Sequence, residues 1–138
     1  MKRYIFSLLL VGLILTRCAD KESADWKVSP TFTNENVILH GTKGKFGVVK
    51  LNGEADEPAF PADQGRLYAI YFLENGFSGQ AYKITATHQD TGELVKLHEQ
   101  EIFNTESQAK FGVKEAGLWK IDVAVDGKSY TDFVVEAE

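Results

Sequence analysis

The sequence predicts an all-β fold: an antiparallel β-sandwich of about seven to nine short strands. Three observations point to it. From Trp26 onward the apolar residues recur with a period close to two, not 3.6. Asn-Gly and Asp-Gly pairs fall between the apolar runs, where hairpins need residues that tolerate positive φ. No segment offers a helical stripe; Thr105 to Lys110 comes nearest, but it lacks apolar residues at i, i+3, i+4 and leads into alternation.

The strands can be justified in order. Phe46 and Val48 face one way, Val49 and Leu51 the other. Leu67 to Leu73 is apolar on both faces, the pattern of a strand covered on both sides. Tyr82, Ile84 and Ala86 then alternate with Lys83, Thr85 and Thr87, and Val95 and Leu97 with Lys96 and His98. Ala109, Phe111 and Val113 form the next stripe, then Trp119, Ile121, Val123 and Val125, then Phe133 and Val135. Asn52-Gly53, Asn75-Gly76, Asp90-Thr91-Gly92 and Asp126-Gly127 supply the turns. In the last hairpin a three-residue loop, Val125-Asp126-Gly127, would set Trp119 opposite Phe133 and keep the large apolar groups on one face.

The first residues read as an address. Lys2 and Arg3 precede Tyr4 to Leu15, twelve residues interrupted only by Ser7 and Gly12. A bilayer span needs about 20 apolar residues. Twelve suits a signal-peptide h-region. Leu15-Thr16-Arg17-Cys18 follows, and Cys18 is the only cysteine. This arrangement resembles the lipobox of bacterial lipoproteins, in which the thiol receives a diacylglycerol and the chain is cut before the cysteine. Arg17 departs from the small residue usual there. The expected organisation is a signal peptide over 1–17, a polar tether over 18–25 and one domain over 26–138. Fully extended, the seven residues Ala19 to Asp25 reach about 23–25 Å. The domain is thus expected close to the extracytoplasmic face of a bacterial cell membrane.

Net charge is −5 for the whole chain. Without residues 1–17 it becomes −8, from 12 basic against 20 acidic residues. That balance speaks against nucleic acid as a partner. It also predicts tethering through lipid rather than adsorption of an acidic domain to anionic headgroups. A second cysteine is absent, so stability rests on the core without disulfides.

Ala116-Gly117-Leu118-Trp119-Lys120-Ile121-Asp122-Val123, with Asp126-Gly127-Lys128 and Phe133-Val134-Val135-Glu136, resembles the closing hairpin of bacterial immunoglobulin-like domains. Trp26-Lys27-Val28-Ser29-Pro30-Thr31-Phe32 and Gly44-Lys45-Phe46-Gly47-Val48 resemble small Gram-positive lipoproteins of unknown function. The resemblance implies an immunoglobulin-like sandwich and no particular chemistry. Ile70 or Phe72 would stand where such domains bury a tryptophan, and no cysteine pair brackets them.

Candidate chemistry is sparse. His88 and His98 flank the Asp90–Gly92 turn, but hairpin register sets His88 near Leu94 and His98 near Ile84. They would lie about 13 Å apart, too far to share a metal. Surface histidines are the expected state. Glu54-Ala55-Asp56-Glu57 lacks the alternating ligands and glycine of a calcium loop and reads as a solvated charge cluster. No GxSxG, GxxxxGK or GxGxxG motif occurs. No catalytic residue, metal ligand or cofactor is therefore assigned.

The doubly apolar strand leaves one choice. Either the chain covers its outer face, with Phe60 of the 52–65 loop packed on the strand, or Tyr68 and Tyr71 form an exposed partner surface. The expected function is a monomeric, lipid-anchored binding or accessory module for a protein or envelope component. A small envelope hydrolase and a protease-inhibitor-like module are the alternatives.

Overall fold

The structure is a computed structural model and describes residues 26–138. The leader, Cys18 and the tether lie outside the described residues. Nine strands follow in order: β1 Phe32–Asn34, β2 Val37–Thr42, β3 Phe46–Lys50, β4 Arg66–Phe72, β5 Ala81–His88, β6 Leu94–Glu101, β7 Glu106–Phe111, β8 Gly117–Val125 and β9 Lys128–Ala137. They form two antiparallel sheets, ordered β1-β2-β3-β4-β7 and β6-β5-β8-β9.

The sheets close on one core. Phe46, Val48, Tyr68, Ile70, Phe72 and Ala109 from the first meet Tyr82, Ile84, Trp119, Ile121, Val123 and Phe133 from the second. Phe72 packs edge-on against Tyr82 at 5.1 Å, and Phe46 lies 6.0 Å from Phe133. Alternation places these residues inside, so the all-β sandwich expected from periodicity is what forms. The turn glycines Gly53, Gly76, Gly92 and Gly127 all adopt positive φ.

The last hairpin corrects the expected register. Its turn is two residues, Asp126-Gly127, with Val125 opposite Lys128. Both turn residues are left-handed, φ 51° and 80°, which suits the twist of the flanking strands. The extra residue lies in β9 instead: Ala124 faces Ser129 and Val123 faces Thr131, so Tyr130 is bulged. Trp119 therefore faces Val135, and Ile121 faces Phe133. The bulge restores the match of apolar faces that a two-residue turn alone would lose. It also sends Tyr130 across to the other sheet, where its hydroxyl donates to Glu74 Oε1 at 2.6 Å and lies 3.1 Å from Lys45 O. Burial, and then Glu74, hold its phenol well above the usual range.

Both faces of β4 are covered, by different parts of the chain. On the inner face Phe60 is buried and stacks on Tyr68 at 5.5 Å. On the outer face the β1–β2 hairpin does the covering. Register puts Leu39 beside Val49, on the face opposite His40 and Val48. Leu39 and Ala69, both on that outer face, are 1% exposed. Leu39 sits over Gly47 so closely that a Cβ there would lie 2.8 Å from Leu39 Cβ. The hairpin turns at Glu35 and Asn36, with φ 50° and 70°.

Candidate functional site

The long β3–β4 connection is held by a carboxylate. Glu57 accepts from Arg66 Nε and Nη2 at 2.8 Å each and pairs with Lys50 Nζ at 2.5 Å. Lys50 Nζ also donates to Pro58 O at 3.0 Å. Gly53 adopts φ 98° beside this node, where a Cβ would approach Glu57 Oε2 at 2.1 Å. The acidic run is thus not simply solvated: Glu57 turns inward, with its side chain 11% exposed. The Arg66 and Lys50 donors hold its carboxyl far below the usual carboxylate range. The clip seats the next residues over the core end, where Ala59 O accepts from the Tyr68 hydroxyl at 3.0 Å.

Glu57→Gln is expected to loosen this loop and lower the melting temperature, with faster amide exchange across residues 54–62. The pH dependence has a definite sign. A carboxyl lowered in the folded state stabilises fully above its unfolded pKa, near 4.5, and loses that contribution as pH falls toward the folded value. The stability gap between wild type and Glu57→Gln should be constant above pH 4.5, narrow below it, and close only in strong acid. Urea melts across that range measure it.

Tyr68 and Tyr71 do not form a shared surface. Tyr68 is 2% exposed, sandwiched between Phe60 and Phe111 with the Phe111 ring 4.4 Å away, so it presents nothing to a partner. Tyr71 is half-buried on the opposite face. Burial raises its phenol pKa, as do Glu106, which accepts its hydrogen bond, and the nearby Glu35 of the hairpin turn.

The histidines scatter. His98 pairs with Ile84 as expected, whereas His88 donates its backbone N–H to Glu93 O, one residue from the expected partner. A bulge at Leu97 accounts for the offset. His88 is buried, not a surface residue; its Nε2 donates to Ala116 O at 2.9 Å and its ring packs edge-on against Trp119 at 4.8 Å. Nδ1 accepts from the Thr91 N–H at 3.2 Å and lies 3.2 Å from Thr91 Oγ1. A hydroxyl beside an imidazole can be a nucleophile pair. Here the backbone N–H already occupies the Nδ1 lone pair, so the imidazole serves to fasten a corner. His40 lies edge-on to Phe60 at 5.0 Å, and burial lowers its pKa. Among the described residues no three His, Cys, Asp or Glu side chains are grouped to hold a metal.

Two carboxylates do meet: Asp122 and Asp132 are directly paired between β8 and β9, on the outer face. Partial burial, then Asp132, raise the Asp122 pKa. They sit on a sheet surface rather than in a hollow.

The two roomiest of the concave regions described lie at opposite ends of the sandwich. One end carries the 51–65 and 112–116 connections and holds a groove of about 460 Å³ between Asn52, Gln64, Arg66, Lys110 and Lys114. Arg66 is already committed to Glu57, Gln64 and Gly65 O. The other end carries the 73–80 and 102–105 connections and holds a hollow of about 360 Å³ walled by Phe77 and Phe103. Both volumes fall in the range of small-molecule sites. Sequence reading missed these places. Asn75-Gly76 stood out only as a turn, and Phe103 is separated from it by two strands.

Residues 17–135 match the model of a family described as a domain of unknown function, DUF4871. The chain belongs to that family. This DUF4871 protein is also similar in fold to a crystal structure from Bacillus anthracis, of a protein described as a "putative lipoprotein". The TM-score is 0.69 at 22% identity, over 87% of this chain and 91% of that one. At that identity the likeness concerns the fold. No curated protein matches the DUF4871 chain.

Proposed function

We propose that this protein is a lipid-anchored, extracytoplasmic binding module of a bacterial envelope, monomeric and non-enzymatic, built on an immunoglobulin-like sandwich. The observation that carries the reading is Cys18, the lone cysteine, placed directly after a basic flank and a twelve-residue apolar run. The family match, which opens at residue 17, supports it. So does the description of the Bacillus anthracis structure as a "putative lipoprotein". The strand order supports the finer fold assignment: β3-β4-β7 faces β9-β8-β5-β6, like the A-B-E and G-F-C-C′ orders of immunoglobulin domains, with the β1–β2 hairpin added.

Lipid anchoring has a physical basis in acyl burial, worth about 0.8 kcal/mol per methylene, with two chains holding where one exchanges. A charge of −8 on residues 18–138 gives the domain itself no attraction for anionic headgroups. Recognition then falls to the loops at the sandwich ends, where the hollows are.

Intact mass of the natively expressed protein is the test. A chain beginning at Cys18 and carrying added diacylglycerol mass is expected, and Cys18→Ala should leave the membrane fraction. An unmodified thiol, or wild-type membrane retention of a processed Cys18→Ala chain, would overturn the anchor.

A further inference from the structure

The hollow beneath Phe103 has a chemistry of its own. Phe103 is 70% exposed although its neighbour Ile102 is 4% exposed in the core. Slack in the loop does not explain this. Ile102 N–H donates to Gln80 O at 2.7 Å, Ile102 O accepts from Gly79 N–H at 2.8 Å, and Thr105 O accepts from Phe72 N–H at 2.7 Å. The loop is fastened on both sides of Phe103, and the ring is held outward. With half-buried Phe77 it gives the hollow an apolar wall, the kind of concave apolar surface that marks binding sites.

The polar rim is unusual too. Asn75, Ser78 and Asn104 line the hollow and bond no protein group among the described residues. Glu74 gives Oε1 to Tyr130, and its other oxygen makes no bond to the protein. No lysine or arginine is in the lining. Lys45 Nζ lies 5.3 Å from the Tyr130 ring centroid, outside the lining, so the one charge in the lining is a carboxylate, which disfavours phosphate- or carboxylate-bearing polymers.

We propose that this hollow binds a neutral pyranose glycan. A pyranose presents an apolar C–H face and a rim of hydroxyls that both donate and accept. Phe103 offers a platform for the face. The Asn75 and Asn104 amides, which also donate and accept, match the rim, and Glu74 accepts. The inference rests on the binding-module reading and adds the ligand class. Binding in solution does not depend on where the protein is anchored, so it can fail while the Cys18 test succeeds, and the reverse.

The test is calorimetric titration of the full chain in uncharged detergent micelles. The probes are the hexasaccharides of N-acetylglucosamine, glucose and mannose, with poly(glycerol phosphate) as the anionic comparison. At least one neutral hexasaccharide should bind saturably. Phe103→Ala should weaken it about tenfold or more, as expected for an uncovered aromatic face. Asn75→Ala with Asn104→Ala should weaken it comparably, and none of these exposed changes should alter the melting temperature. Three results would each overturn the proposal: no saturable binding of any neutral probe at about 10 mM, binding undiminished in Phe103→Ala, or tighter binding of poly(glycerol phosphate).

Discussion

Trp119→Ala should destabilise the fold by about 3–5 kcal/mol, the range for emptying a buried aromatic site. Trp119 is 1% exposed and joins three parts of the molecule. It opposes His88 across β5–β8 and Val135 across β8–β9. Its Nε1–H donates to Glu115 O at 2.9 Å, closing the 112–116 connection. Truncation leaves a cavity and removes the partner of that carbonyl, so two penalties add. The His88 ring would lose its edge-on neighbour as well. Trp119→Phe keeps most of the packing and should cost clearly less. Urea denaturation of both variants measures the difference. A loss below about 1.5 kcal/mol for the alanine variant would show that the corner is not a centre of stability.

Gly47→Ala should cost about 1–3 kcal/mol, the range for forcing extra volume into a packed site. The new Cβ would stand 2.8 Å from Leu39 Cβ and Cδ1. Leu39 Cβ cannot swing aside, so the β1–β2 hairpin must lift. Lifting it uncovers Ala69 and the outer side of Tyr71. Amide exchange should therefore accelerate across residues 32–39 far more than in β5 or β8. Unchanged protection of the hairpin together with an unchanged melting temperature would mean that it does not cover the sheet as described.

These two sites mark how far the sequence could be read. Strict alternation at Trp119, Ile121, Val123 and Val125 exposed the core face of β8, because a strand against a single core has a simple period. The same rule could not place the pairing register. The bulge at Tyr130 adds a residue without disturbing the local pattern, and tyrosine reads equally well inside or outside. The doubly apolar β4 left open whether its outer face was exposed or covered by Phe60, and the structure places Phe60 on the inner face instead. The cover, Leu39 on a short hairpin turning at Glu35-Asn36, depends on Gly47 making room from another strand. Glu57 looked like one acid among several, since its partners Lys50 and Arg66 flank the loop from two strands. Phe103 and Asn75 meet only because the 73–80 and 102–105 connections end at the same edge of the sandwich. Such meetings are set by topology, which periodicity does not encode.

A contact at the start of the described chain bears on how the molecule behaves among its own kind. Ser29 N–H donates to Val134 O at 2.9 Å, and Ser29 Oγ accepts from Val134 N–H at 3.0 Å. Val134 lies in β9, the terminal strand of its sheet, whose unsatisfied backbone groups could otherwise recruit a neighbour. Under the proposed lipid anchor, chains would share one orientation on a surface and meet often. Ser29 fills the middle of the rim along which they could polymerise, so dense packing would favour discrete molecules over fibrils.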